Sequence, residues 1–178
     1  YPVSDPTLLF EVRTDGSVTK ISHDYYLQTV VARQVEEEYG QFVQQAFPGS
    51  YLSVDISNTL ASAPDNFPKA DTVTLDDITQ YCVERDLSSN IVFNIFVDTS
   101  QMTDESIKRE YEFLSDDIGD RVKDGTLPDT LIKLYFGDKL FVQKCENVLK
   151  QMSWRGNSDI YEITEEYPCY AECNDNGN

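Results

Sequence analysis

The stretch NIVFNIFVD, residues 90–98, decides the fold. It is nearly continuous in β-branched and aromatic residues, and Asn94 is its only interior polar side chain. A run of that length and composition reads as a strand covered on both faces, the kind found in the middle of a sheet. The flanks agree with this. Upstream, residues 51–57 alternate, with Leu52, Val54 and Ile56 on one face and Tyr51, Ser53 and Asp55 on the other, the pattern of a half-buried strand. Downstream, residues 130–136 read as another strand.

Helices fill the intervals. Over 26–47, Leu27, Val30, Val31, Val35, Tyr39, Phe42, Val43 and Phe47 recur at helical spacing, and Pro48-Gly49 stops the run. Thr74 with Asp77 three residues on forms a capping box for a short helix bearing Leu75, Ile78, Tyr81 and Cys82. Thr103 caps a helix with Ile107, Tyr111, Leu114, Ile118 and Val122 inward, closed by Asp124-Gly125. Asp138 caps a last helix with Phe141, Cys145, Val148, Leu149 and Met152 inside.

Before all of these, residues 7–22 read as a β-hairpin turning at Asp15-Gly16, with Val18 and Ile21 on its return strand. Residues 58–72, with two prolines, form a long loop, and 160–163 are expected to make a final edge strand. The fold class is therefore α+β: a single twisted mixed β-sheet, an N-terminal hairpin, and about four helices packed on it. The passages 51–98 and 91–136 would be right-handed crossovers if their strands are parallel. No linker divides the chain, so 1–168 reads as one globular domain and 169–178 as a C-terminal tail, clamped by a disulfide or frayed.

Charge is the strongest compositional signal: 32 Asp plus Glu stand against 14 Lys plus Arg, a net charge of −18. A field of that sign repels phosphate backbones and anionic headgroups, so nucleic acid and membrane-surface binding are disfavoured. It speeds association with basic proteins or peptides, and it also keeps a protein soluble. The chain begins at Tyr1, which suggests a processed, exported form or one cut free of its leader; a membrane anchor upstream is compatible with that. Four cysteines allow three complete pairings. The expected one joins Cys169 to Cys173 across the tail and Cys82 to Cys145 between two helices, although Cys82 and Cys145 would equally serve as small buried hydrophobes. Disulfides place the protein outside the cytoplasm, extracellular or in the cell envelope.

Reactive constellations are few. Asp98-Thr99-Ser100-Gln101-Met102 puts a carboxylate and hydroxyls at a strand's carboxyl end, hard oxygen ligands for a divalent cation. It resembles the start of the metal-dependent adhesion site of von Willebrand A domains, Asp-x-Ser-x-Ser. Met102 stands where the second Ser belongs, and only 80 residues follow Asp98, so that family is not assigned. Asp98 and Ser100 remain the candidate metal ligands, against a plain polar turn leading to the Thr103 cap. Asp55, Asp98 and Asp138 could meet at a sheet edge as hydrolase carboxylates do. His23, the single histidine, reads as a turn residue ahead of the long helix; there is no Gly-x-Ser-x-Gly elbow and no glycine-rich phosphate loop. No cofactor is implied, no activity is assigned, and the balance is against an enzyme.

What remains is surface. Near the C-terminus Trp154, Tyr161, Tyr167 and Tyr170 lie among Glu162, Glu165, Glu166 and Glu172, aromatic anchors interleaved with carboxylates that suit a basic partner. Phe67, in the loop 58–72, is a second contact. The leading expectation is thus an exported, acidic, non-enzymatic protein-binding domain: an inhibitor, a toxin-immunity protein or a surface-assembly factor. The alternatives are the extracellular sensing or accessory domain of a membrane-anchored protein, and a metal-dependent hydrolase using Asp98 and neighbouring aspartates.

Overall fold

The computed structural model describes residues 12–14, 21–24, 26–56, 68, 72–85, 91–127 and 130–151. Among them, five strands and four helices follow in chain order: β1 (Val12–Thr14), β2 (Ile21–Asp24), α1 (Tyr26–Ala46), β3 (Tyr51–Ile56), α2 (Leu75–Glu84), β4 (Ile91–Asp98), α3 (Asp104–Lys123), β5 (Thr130–Gly137) and α4 (Lys139–Gln151). β1 and β2 pair antiparallel as a small ladder of their own, and β3-β4-β5 make a three-stranded mixed sheet. The α+β class, with one mixed sheet and four helices, is as the sequence implies. The return strand of the hairpin runs on to Asp24, so His23 is a strand residue, opposite Arg13, and not a turn residue.

β4 is the central strand, buried from Ile91 to Val97. Its pleat sends Ile91, Phe93, Ile95 and Val97 to one face, where they join Val31, Val35 and Val43 of α1, Ile78 of α2, and Leu114 and Ile118 of α3. Phe96 points the other way, into a second cluster with Tyr135 of β5 and Phe141, Val142, Cys145 and Leu149 of α4. Three helices therefore cover one face and α4 covers part of the other. That second layer departs from the half-buried reading of β3 at Ser53, which lies on the α4 side and is only 1% exposed, while Tyr51 and Asp55 on the same face stay partly exposed.

Strand direction separates the two passages. β5 runs parallel to β4, with Asp98 opposite Gly137, whereas β3 runs antiparallel, with Tyr51 opposite Phe96 and Asp55 opposite Val92. Only the passage through α3 can then be a parallel crossover; the one through α2 cannot.

Local signals set the helix ends. The Thr74 N–H and hydroxyl donate to Asp77 Oδ2 at 2.8 and 2.7 Å, the Asp77 N–H returns to Thr74 Oγ1, and the Thr103 side chain forms a reciprocal box with Ser106. Phe141 N–H donates to Asp138 Oδ1 at 2.9 Å, capping α4. Gly49 and Gly125 hold φ of 79° and 82° just past α1 and α3, where a side chain would be strained.

The outer edge of β3 is closed by a side chain. Glu36 of α1, whose side chain is 9% exposed, accepts the Val54 N–H at Oε1 (2.9 Å) and holds Arg33 through Oε2 (3.2 Å). Unpaired edge donors invite another strand, and a buried one left without an acceptor costs about 1–3 kcal/mol. Glu36→Ala is accordingly expected to lower stability by about that amount in urea unfolding, with Glu36→Gln, which keeps an acceptor oxygen, recovering most of it.

Candidate functional site

The end of the sheet where β4 and β5 finish carries the residues that invite a metal reading. There Asp98 turns back on its own loop: Oδ1 accepts the Ser100 N–H at 2.9 Å and the Ser100 hydroxyl at 2.5 Å. Thr99 donates its N–H and hydroxyl to the Gly137 carbonyl, at 2.9 and 3.1 Å, and Met102 packs against the core. The stretch is thus a polar turn that leads into the Thr103 cap, and its hydroxyls are engaged within the chain. Among the described residues, no group of three or more His, Cys, Asp or Glu side chains is placed to hold a metal ion.

The expected meeting of three aspartates does not occur. Asp138 follows Gly137, the register partner of Asp98, so these two share one end of the sheet. Asp55 lies opposite Val92, six positions along β4 from Asp98, or roughly 20 Å away. The antiparallel β3 carries it to the far end, and Asp138 is occupied as the α4 cap.

Cys145 is a buried thiol in the α4 cluster. Cys82 sits on α2, on the opposite side of the sheet, so the expected Cys82–Cys145 bridge is not formed; the sheet separates two residues whose Cα atoms would have to lie within about 7 Å. The side chain of Cys82 lies outside the described residues, as do Cys169 and Cys173. Outside them too lie the candidate contact residues Phe67, Trp154, Tyr161, Glu162, Glu165, Glu166, Tyr167 and Tyr170, and the strand expected over 160–163.

The described surface has a sidedness that composition does not show. α3 carries Asp104, Glu105, Glu110, Glu112, Asp116, Asp117 and Asp120 against four cations, and α1 and α2 add Glu37, Glu38, Asp76, Asp77 and Glu84. On the other side, β5 and α4 carry Lys133, Lys139, Lys144 and Lys150 against Glu146. Among the described residues the first layer is therefore strongly acidic, and the second, where Asp138 and the β3 residue Asp55 also lie, is only weakly basic. The cations of α3 are committed locally, Arg109 to Glu110 (2.6 Å), Arg121 to Asp117 (2.8 Å) and Lys123 to Asp120 (3.0 Å). Arg121 also reaches the Tyr39 hydroxyl (3.5 Å) and lies 5.3 Å from the centre of its ring. Burial raises the Tyr39 phenol above its ordinary value, with Arg121 opposing.

The fold has a solved counterpart. It is similar to the crystal structure of a DUF5037 family protein from Ruminococcus gnavus, with a TM-score of 0.56 and 21% identity over 89% of this chain. The match spans 66% of that longer chain, and at this identity it speaks for the fold alone. No protein-family profile matches the sequence, and neither does any curated protein.

At the exit of α3, Asp124 Oδ1 accepts both the hydroxyl (2.6 Å) and the N–H (3.0 Å) of Thr126. These bonds, the hydroxyl's first, hold its carboxyl below the usual aspartate value. A lowered folded value means that the stabilisation is present above the ordinary carboxylate range and is lost as pH falls through the folded value. In a carboxyl-carbon NMR titration, Thr126→Val is expected to move the Asp124 midpoint up toward that of a free aspartate.

Two features escape a reading of the sequence. Glu36 lies on the polar face of α1, and its bond to β3 is a tertiary pairing with no local signature. Phe113 stands next to the inward Leu114 and is itself 56% exposed, its ring 5.8 Å from that of half-buried Phe42. Its signal is an aromatic at an outward helical position between charged residues.

Proposed function

We propose that this chain is an exported, acidic, non-enzymatic binding domain that recognises a basic protein partner, as an inhibitor, an immunity factor or a component of a surface assembly. The observation that carries the reading is the net charge of −18, together with the carboxylates that the described residues gather on α1, α2 and α3. Such a surface raises the local concentration of cationic partners and speeds encounter, and its effect is screened by salt. The engaged turn at Asp98 and Ser100 weighs against the hydrolase alternative. In this reading the acidic aromatic stretch from Trp154 to Tyr170 and Phe67 add contacts, Cys169 and Cys173 clamp the tail outside the cytoplasm, and nucleic acid and membrane surfaces are not partners.

Capture of the bound protein from the native source, followed by stopped-flow association, tests the proposal. The association rate is expected to fall at least tenfold, on the order of what steering contributes, between low and high ionic strength. Charge reversal of Glu162, Glu165 and Glu166 together is expected to slow association with little change in dissociation. Equal rates at both ionic strengths would contradict the reading.

A further inference from the structure

We propose that the seam between α1 and α3 is the surface on which the partner docks, and that it accepts a basic amphipathic helix with Phe42 and Phe113 as the apolar anchor. This rests on the basic-partner reading and gives that reading a place. Phe113 and Leu140 are the large hydrophobic side chains left exposed among the described residues. A solitary exposed apolar residue is ordinary, so their surroundings have to separate them.

Leu140 lies beside Lys139 in the lysine-bearing layer, which offers a basic partner fewer carboxylates. Phe113 lies in the acidic layer, and its ring pairs across the seam with Phe42. The core beneath is already sealed by Tyr39, Val43, Leu114 and Ile118, so the outer face of Phe113 adds nothing to the interior. One helical turn from each ring stands an exposed carboxylate, Glu38 before Phe42 and Asp116 after Phe113, with no ion pair to either among the described residues. The neighbouring arginines are taken, Arg109 by Glu110 and Arg121 by Asp117. An aromatic pair flanked by unneutralised carboxylates complements an apolar stripe flanked by lysine or arginine, and two packed helices offer a groove in which a third can lie.

The test uses the whole chain and a fluorescently labelled synthetic peptide with leucines at helical spacing and lysines on its remaining positions. Anisotropy titrations at low and physiological ionic strength are run on the wild type, Phe113→Ser, the double variant Glu38→Lys/Asp116→Lys, and Leu140→Ser, each checked for fold by circular dichroism. Phe113→Ser is expected to weaken binding about tenfold, the scale of an interface anchor. The double variant should weaken it and flatten its salt dependence, and Leu140→Ser should leave it unchanged. Amide shifts on adding peptide should concentrate in residues 38–45 and 109–117. Salt-sensitive binding that ignores Phe113→Ser overturns the seam while leaving the basic-partner reading intact. Absence of salt-sensitive binding to the wild type overturns that reading and the seam with it. A concentration-dependent dimer abolished by Phe113→Ser would make the occupant a second copy of this chain, and so overturn the proposal.

Discussion

Phe96→Ala is expected to lower the unfolding free energy by about 3–5 kcal/mol, the range for a buried phenylalanine truncated to a methyl. Phe96 is fully buried, stacks on Tyr135 at 5.0 Å with an interplanar angle of 16°, and lies 6.2 Å from Tyr51 and 6.1 Å from Phe141. It is the floor on which α4 rests. The cluster it belongs to is the smaller of the two among the described residues. An ordinary domain has only about 5–15 kcal/mol in total, so this one truncation would bring many domains near their limit. Urea unfolding followed by far-ultraviolet circular dichroism measures the loss. Phe96→Leu, which keeps most of the volume, should cost much less, and equal losses for the two would mean that the ring is not packed as described.

Gly137→Ala is expected to be the most damaging single methyl addition among the described glycines. A Cβ built at Gly137 falls onto the side chain of Phe141, reaching its ring and its Cβ. The clash cannot be relieved by swinging the ring alone, because Phe141 is buried and its N–H is tied to the Asp138 cap. Overpacking of this kind costs about 1–3 kcal/mol, and more where the backbone has to yield. The same methyl should cost less in a Phe141→Ala background, where the ring atoms are gone. That non-additivity, read from the two single variants and the double, distinguishes a steric clash from a general intolerance of the turn. Gly119 and Gly40, by contrast, have no atom within 4 Å of an added Cβ.

The parts of the fold legible in the sequence are those written in short-range patterns. Thr74 with Asp77, Thr103, and Asp138 announce their helices because a cap joins a side chain to a backbone group only two or three residues away. The burial of β4 is equally plain, since six apolar residues around one Asn admit no exposed face. The direction of β3 was not legible. Residues 57–90 are long enough to bring the chain back on either side of β4, and alternation in 51–56 says which residues share a face without saying which way the strand points. Misplacing Asp55 beside Asp98 followed from that one ambiguity. The Cys82–Cys145 expectation failed for the same kind of reason: two helices each with an inward cysteine look alike until the sheet is set between them. Of the candidate site, the acid content was visible and its sidedness was not, because sidedness depends on α4 lying across the sheet from the other three helices.

The parallel pairing of β4 with β5 bears on the order in which the chain assembles. Every register pair in it stands 39 positions apart in the chain, from Ile91 with Thr130 to Asp98 with Gly137, whereas α1 reaches β3 over residues 47–50 alone. Closing the longer loop forfeits more chain entropy before any contact repays it. Refolding should therefore begin with the helix-and-strand unit at residues 26–56, and the lysine-bearing layer should dock only after β5 has found its place.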